Sequence, residues 1–62
     1  MNNDYIGMEM EKFRDIMAEN NYNTVFRDYK GICEVYDGEE LVMTYNVELL
    51  CGSWYIRKVI AA

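Results

Sequence analysis

The chain has no histidine and no proline, only two cysteines and four glycines, and six basic residues against eleven acidic ones. Each shortage excludes something. Without His or a CxxC pair, a structural zinc site has nothing to be built from. The side chain that most often moves protons near neutral pH is also missing. Two cysteines do not make a disulfide framework, so Cys33 and Cys51 are expected as free thiols, and neither has a base beside it to make it a nucleophile. Gly7, Gly31, Gly38 and Gly52 are scattered singly, so no phosphate-cradling loop is present. The stretch Asp37-Gly38-Glu39-Glu40 lacks the alternating oxygen ligands of a calcium loop. No metal and no cofactor is expected, and the chain is not expected to be an enzyme.

The shortage of cations is equally informative. A net charge of −5 disfavours direct nucleic-acid binding, which needs clustered Lys and Arg on phosphates. An anionic membrane surface is disfavoured for the same reason. No apolar run approaches the roughly 20 residues of a membrane helix, and MNNDYIGMEMEK lacks the basic start and apolar stretch of a secretory signal. Cytoplasmic residence is the expectation.

What is present is an apolar half. Hydrophobic residues make up 52% of the 62 positions, too many for a disordered chain and enough for one small domain over residues 1–62. Ile6, Met10, Phe13 and Met17 fall at the spacing that lines one helix face, predicting an amphipathic helix over about residues 4–20. Asn3 or Asp4 is the candidate cap, and Asn20-Asn21 a left-handed stop. Period-two patterning then predicts strands at Thr24–Tyr29, Ile32–Tyr36, Leu41–Asn46 and Trp54–Ile60. Turns are expected at Lys30-Gly31 and Asp37-Gly38, with a break at Gly52-Ser53. Val47–Cys51 fits a helical turn, an edge piece or a crossover equally well. The fold class expected is α+β, one N-terminal amphipathic helix packed on an antiparallel sheet of three to four strands.

Register from those turns places Arg27 opposite Glu34 and puts Cys33, Val35, Val42 and Phe26 on one small apolar face, suited to the helix. The other face collects Val25, Tyr29, Ile32, Tyr36, Met43 and Tyr45 around an Arg27–Glu34 pair. Tyr, Met and Arg are enriched at protein interfaces, so Tyr29, Tyr36, Met43 and Tyr45 are candidate interface residues, with a homodimer as one outcome. The simpler alternatives are that the helix covers this face and leaves the other exposed, or that the final strand segment folds over it.

The second candidate surface is acidic. Asp4, Glu11, Asp15 and Glu19 lie opposite the helix's apolar stripe, and the last three form an i, i+4, i+8 series. Like charges at that spacing repel by a few tenths of a kcal/mol per pair. Carboxylates then recur about every 6 Å, comparable to phosphates along a nucleic-acid strand. Asp37, Glu39 and Glu40 at the hairpin tip belong with them if both lie on one side. An ordinary solvated face is the simpler explanation of these acids. The functional expectation is a protein-binding module that occupies a basic surface of a partner, such as the groove of a nucleic-acid-binding protein. By analogy of size and charge, it would be an inhibitor or nucleic-acid mimic of phage or mobile-element type. The alternative is a homo-oligomeric assembly subunit using the Tyr-rich face. A thiol-based factor acting through Cys51 ranks third.

Overall fold

The computed structural model describes residues 2–61, apart from the side chains of Asn2 and Asn3. A 3-10 turn at Asn2–Tyr5 leads to helix α1 (Met10–Glu19), followed by strands β1 (Asn23–Arg27), β2 (Ile32–Asp37), β3 (Glu40–Leu50) and β4 (Ser53–Ala61). The strands form one antiparallel sheet in the order β1-β2-β3-β4, with α1 laid across one face. The α+β class and the helix-on-sheet architecture are as the patterning predicts.

The helix is shorter than predicted because residues 2–5 form the 3-10 turn and residues 7–9 bond to the edge of β4. Gly7 adopts φ +91, where a side chain would be strained. Its N–H donates to the Ile56 carbonyl at 2.7 Å, and the Ile56 N–H donates to the Met8 carbonyl at 2.8 Å. Glu9 bridges Tyr55 and stands at the N-cap without a side-chain cap bond. Asp4 is therefore not the cap but part of the preceding turn, and the side chain of Asn3 lies outside the described residues. Ile6, 41% exposed, is not part of the buried stripe, whereas Met10, Phe13 and Met17 are buried. At the other end Asn21 takes φ +68, as predicted. Its N–H donates to the Ala18 carbonyl and that of Tyr22 to the Met17 carbonyl, a Schellman stop with asparagine in the glycine position.

The turns set the faces. Residues 28–31 form a 3-10 turn ending on left-handed Gly31, longer than a two-residue turn, so Arg27 pairs with Ile32 and Val25 with Glu34. The register moves by two positions, and a two-residue shift keeps the paired residues of β1 and β2 on their predicted faces, while Tyr29 leaves the strand for the turn. The β2–β3 loop is Gly38-Glu39, one residue later than predicted, with Asp37 opposite Glu40. Gly38 alone of the two has positive φ, the type II′ pattern. Beyond it Tyr36 faces Leu41 but Val35 faces Met43, so Val42 is an extra residue. That bulge turns Met43 and Tyr45 through to the helix side. Val47–Leu50 resolves as a straight continuation of β3, closed by Cys51 (φ +51) and Gly52 (φ +87), a type I′ pair.

The core is the helix stripe against the concave sheet face: Met10, Phe13 and Met17 against Cys33, Val35, Met43, Tyr45, Val47 and Ile56. Phe13 meets Tyr5 and Tyr45 edge-to-face at 5.2 and 5.1 Å. Phe26 on β1 touches Trp54 on β4 at 5.0 Å between ring centres. In a flat sheet those strands would stand about 14 Å apart, so the sheet is curled around the helix. A cavity of about 270 Å³ opens beside Met17, Asn20, Tyr22, Val35, Val42 and Tyr45.

Candidate functional site

The helix row is outward and largely unopposed. Glu11, Asp15 and Glu19 are all exposed, because their positions lie opposite Met10, Phe13 and Met17. Arg14 reaches Glu11 at 3.7 Å while its Nε donates to the Thr24 hydroxyl at 3.1 Å. That contact ties the helix to β1. Among the described residues, Asp15 and Glu19 make no salt bridge, and neither do Asp37, Glu39 and Glu40 at the hairpin tip. Asp4 is exposed but belongs to the 3-10 turn, so it does not extend the helical row.

Topology puts Glu19 and the hairpin tip toward the same end of the molecule. The chain leaves α1 at Asn20 and enters β1 at Asn23, which pairs with Tyr36 immediately before the hairpin tip. Asn20 and Val42 line the same cavity. Glu19 and the tip thus occupy one end of the molecule. Glu11 lies toward the other end, where Glu9, Met10 and Glu11 border the β3–β4 turn at Gly52 and Ser53. The last turn of α1 carries no basic residue, so the partial negative charge of the helix terminus adds to that acidic pole.

The predicted interface residues separate. Met43 and Tyr45 are corrected to core positions: both are buried, through the Val42 bulge. Burial raises the Tyr45 phenol above its ordinary pKa, with the neighbouring Tyr5 and Asp4 adding to the effect. Tyr29 is 74% exposed on the 28–30 turn, with Lys30 Nζ 5.8 Å from its ring centre. Tyr36 is half-buried on the outer sheet face, diagonal to Val25, and its hydroxyl donates to Glu34 at 3.2 Å. Arg27 Nε reaches the same carboxylate oxygen at 2.8 Å. The pair is therefore present although the two residues sit diagonally rather than opposite.

Arg27 holds the Glu34 carboxyl below its ordinary range, against a smaller opposing effect of desolvation. A carboxyl whose folded pKa is depressed contributes stability that is present above the unfolded value and lost as pH falls through the folded one. Glu34→Gln is accordingly expected to flatten the fall in urea midpoint below about pH 4.5, while leaving the slope near neutrality unchanged. Equal acid sensitivity in the variant would remove Glu34 as its source.

The thiols divide cleanly. Cys33 is fully buried in the core, and burial pushes its pKa up to about 11. Cys51 is exposed at the β3–β4 turn. One thiol equivalent should therefore react with a disulfide reagent in the native protein and two in denaturant. Two fast equivalents in the native state would contradict the burial of Cys33. Among the described residues no three Cys, Asp or Glu side chains gather as a metal site, and no helix is long and apolar enough to cross a membrane.

Patterning leaves Val47–Cys51 open between a helical turn, an edge piece and a crossover, and so does not reveal the exposed Leu49, Leu50 and Cys51 tip of β3. The alternation of Val47, Glu48 and Leu49 was the available signal. No family model, no curated protein and no solved structure matches this chain.

Proposed function

We propose that the protein is a non-enzymatic binding module that occupies a basic surface of a partner protein through the exposed face of α1 and the acidic pole beside it. The observation that carries this reading is the placement of Glu19. It repels Asp15 one turn before it, sits in the helix's last turn where an acid opposes the dipole, and shares its end of the molecule with Asp37, Glu39 and Glu40. A sequence selected for stability alone would carry Lys there. An opposing cationic surface would relieve these repulsions and replace small counterions, as nucleic acid does when it binds protein. A groove built for phosphates is the partner surface that suits a row of carboxylates about 6 Å apart, which is the basis for inhibition by nucleic-acid mimicry.

A second reading has its own support. The outer sheet face carries Val25, Ile32 and Tyr36 with no helix over it, so two copies could bury it as an assembly subunit would.

The test compares the wild-type chain with Glu19→Lys and with Glu11→Lys/Asp15→Lys as baits in cytosolic extract at low and high salt. Glu19→Lys is expected to raise stability by about 0.5–1 kcal/mol, a rise of several degrees in Tm for a domain this small. At the same time it should lose the salt-released partner that the wild type captures, and the double variant should lose it too while remaining folded. Duplex nucleic acid should compete for that partner. Capture that survives both reversals would overturn the proposal, and a salt-insensitive oligomer with no partner would favour the sheet-face reading.

A further inference from the structure

The two edges of the sheet are treated differently. On β4 the Gly7–Glu9 segment bonds Ile56 from outside, and extra residues at Arg57 and Ile60 bulge the strand; both devices prevent further pairing. On β1 neither is present. Its five pairs with β2 run without a shift, and among the described residues no backbone bond reaches its outer side.

Which groups that edge offers follows from the ladder. Ile56 spends its N–H and C=O outward on Met8 and Gly7, so Val47 opposite it turns toward β2, where its N–H donates to the Gly31 carbonyl at 2.8 Å. Alternating from there through Tyr45, Cys33 and Glu34 to Val25 leaves the N–H and C=O groups of Thr24 and Phe26 pointing away from the sheet. Above this edge runs a groove bordered by Glu11, Arg14 and Asp15 of the helix and by Asn23 and Thr24 of β1. Arg14 is already engaged by Glu11 and Thr24, while Asp15 has no ion-pair partner among the described residues.

We infer that β1 is the docking edge for an extended basic segment of the partner protein, which adds as a fifth strand. This deepens the acidic-surface function proposed above and rests on it. Residues of the incoming strand that pair with Thr24 and Phe26 project their side chains to the helix side, where Lys or Arg meets Asp15 and Glu11. The alternate residues fall on the outer face beside Val25 and are apolar or β-branched. A second copy of this chain is the poorer occupant, since each copy brings a net charge of −5 and its basic strand, β4 with Arg57 and Lys58, is bulged and already bonded from outside by Gly7–Glu9.

Three synthetic ten-residue peptides of equal charge test the inference on the full chain. One alternates Lys with Val and Thr. The second is the same peptide N-methylated at alternate residues, which removes its ladder donors on one edge. The third spaces its Lys with Gly and Ser. The first is expected to bind at least tenfold more tightly than the other two, to slow hydrogen exchange at the Thr24 and Phe26 amides, and to weaken about tenfold on Asp15→Lys. Equal binding of all three would overturn the edge inference while leaving the acidic-surface reading in place. No binding of any of them, with no salt-released partner in extract, would remove both. Self-pairing of the chain through β1, seen as the same amide protection rising with protein concentration alone, would also overturn it.

Discussion

Phe13→Ala is expected to leave the chain without a cooperative fold at room temperature. Phe13 is fully buried at the centre of α1's apolar stripe, where Tyr5 and Tyr45 present ring edges to it from opposite elements. Truncating a buried Phe costs about 3–5 kcal/mol through lost transfer energy and the void left behind. Each edge-to-face pair contributes about 0.5–1.5 kcal/mol beyond its area. A domain of this length has roughly 3–9 kcal/mol in total, so one substitution consumes most or all of it. The loss is compounded because Phe13 joins the N-terminal turn, the helix and β3, and 62 residues offer no second core to hold any of them. Near-ultraviolet circular dichroism should be lost and the thermal transition should broaden into a slope. A sigmoidal melt within a few degrees of wild type would mean that the helix does not provide the principal packing against the sheet.

How far the sequence alone reached can be seen at particular residues. Met10, Phe13 and Met17 are legible because helix periodicity is a local property, and the Asn21 stop is legible because few residues tolerate a left-handed backbone. The Arg27–Glu34 pair survives a wrong turn length because the error amounts to two residues and preserves the faces. The extra residue at Val42 is different. "EELVMTY" is an uninterrupted run in which nothing marks where a bulge falls, and the one-residue offset it introduces reverses the faces of Met43 and Tyr45. The use of Gly7–Glu9 to cover the β4 edge is equally hidden, since it depends on where β4 returns in space. At the candidate site the helix acids could be placed on the outer face from periodicity, but that Glu19 lies toward the hairpin-tip end required the β1–β2 register. The bare β1 edge required knowledge of strand order, which no single segment encodes.

Because of the Val42 bulge, Tyr36 and Tyr45, two of the three tyrosines predicted to share an interface, should respond in opposite ways. Tyr45→Ala is expected to destabilise the monomer by about 3–5 kcal/mol, because the ring is buried against Phe13 and Cys33's strand rather than displayed. Loss of association in that variant would then report unfolding and nothing about an interface. Tyr36→Ala removes a half-buried ring and one hydrogen bond to Glu34. Arg27 still holds that carboxylate, so the penalty should stay near 1 kcal/mol. Urea unfolding of both variants, read at two protein concentrations, separates the possibilities. If the outer sheet face is solvated, Tyr36→Ala lowers the midpoint slightly and equally at both concentrations. If two copies bury that face, the wild-type midpoint rises with concentration, as mass action requires, and Tyr36→Ala abolishes the rise without unfolding the chain. A Tyr45→Ala variant as stable as Tyr36→Ala would contradict the register of β3, and with it the helix-facing placement of Met43 and Val47 on which the whole core depends.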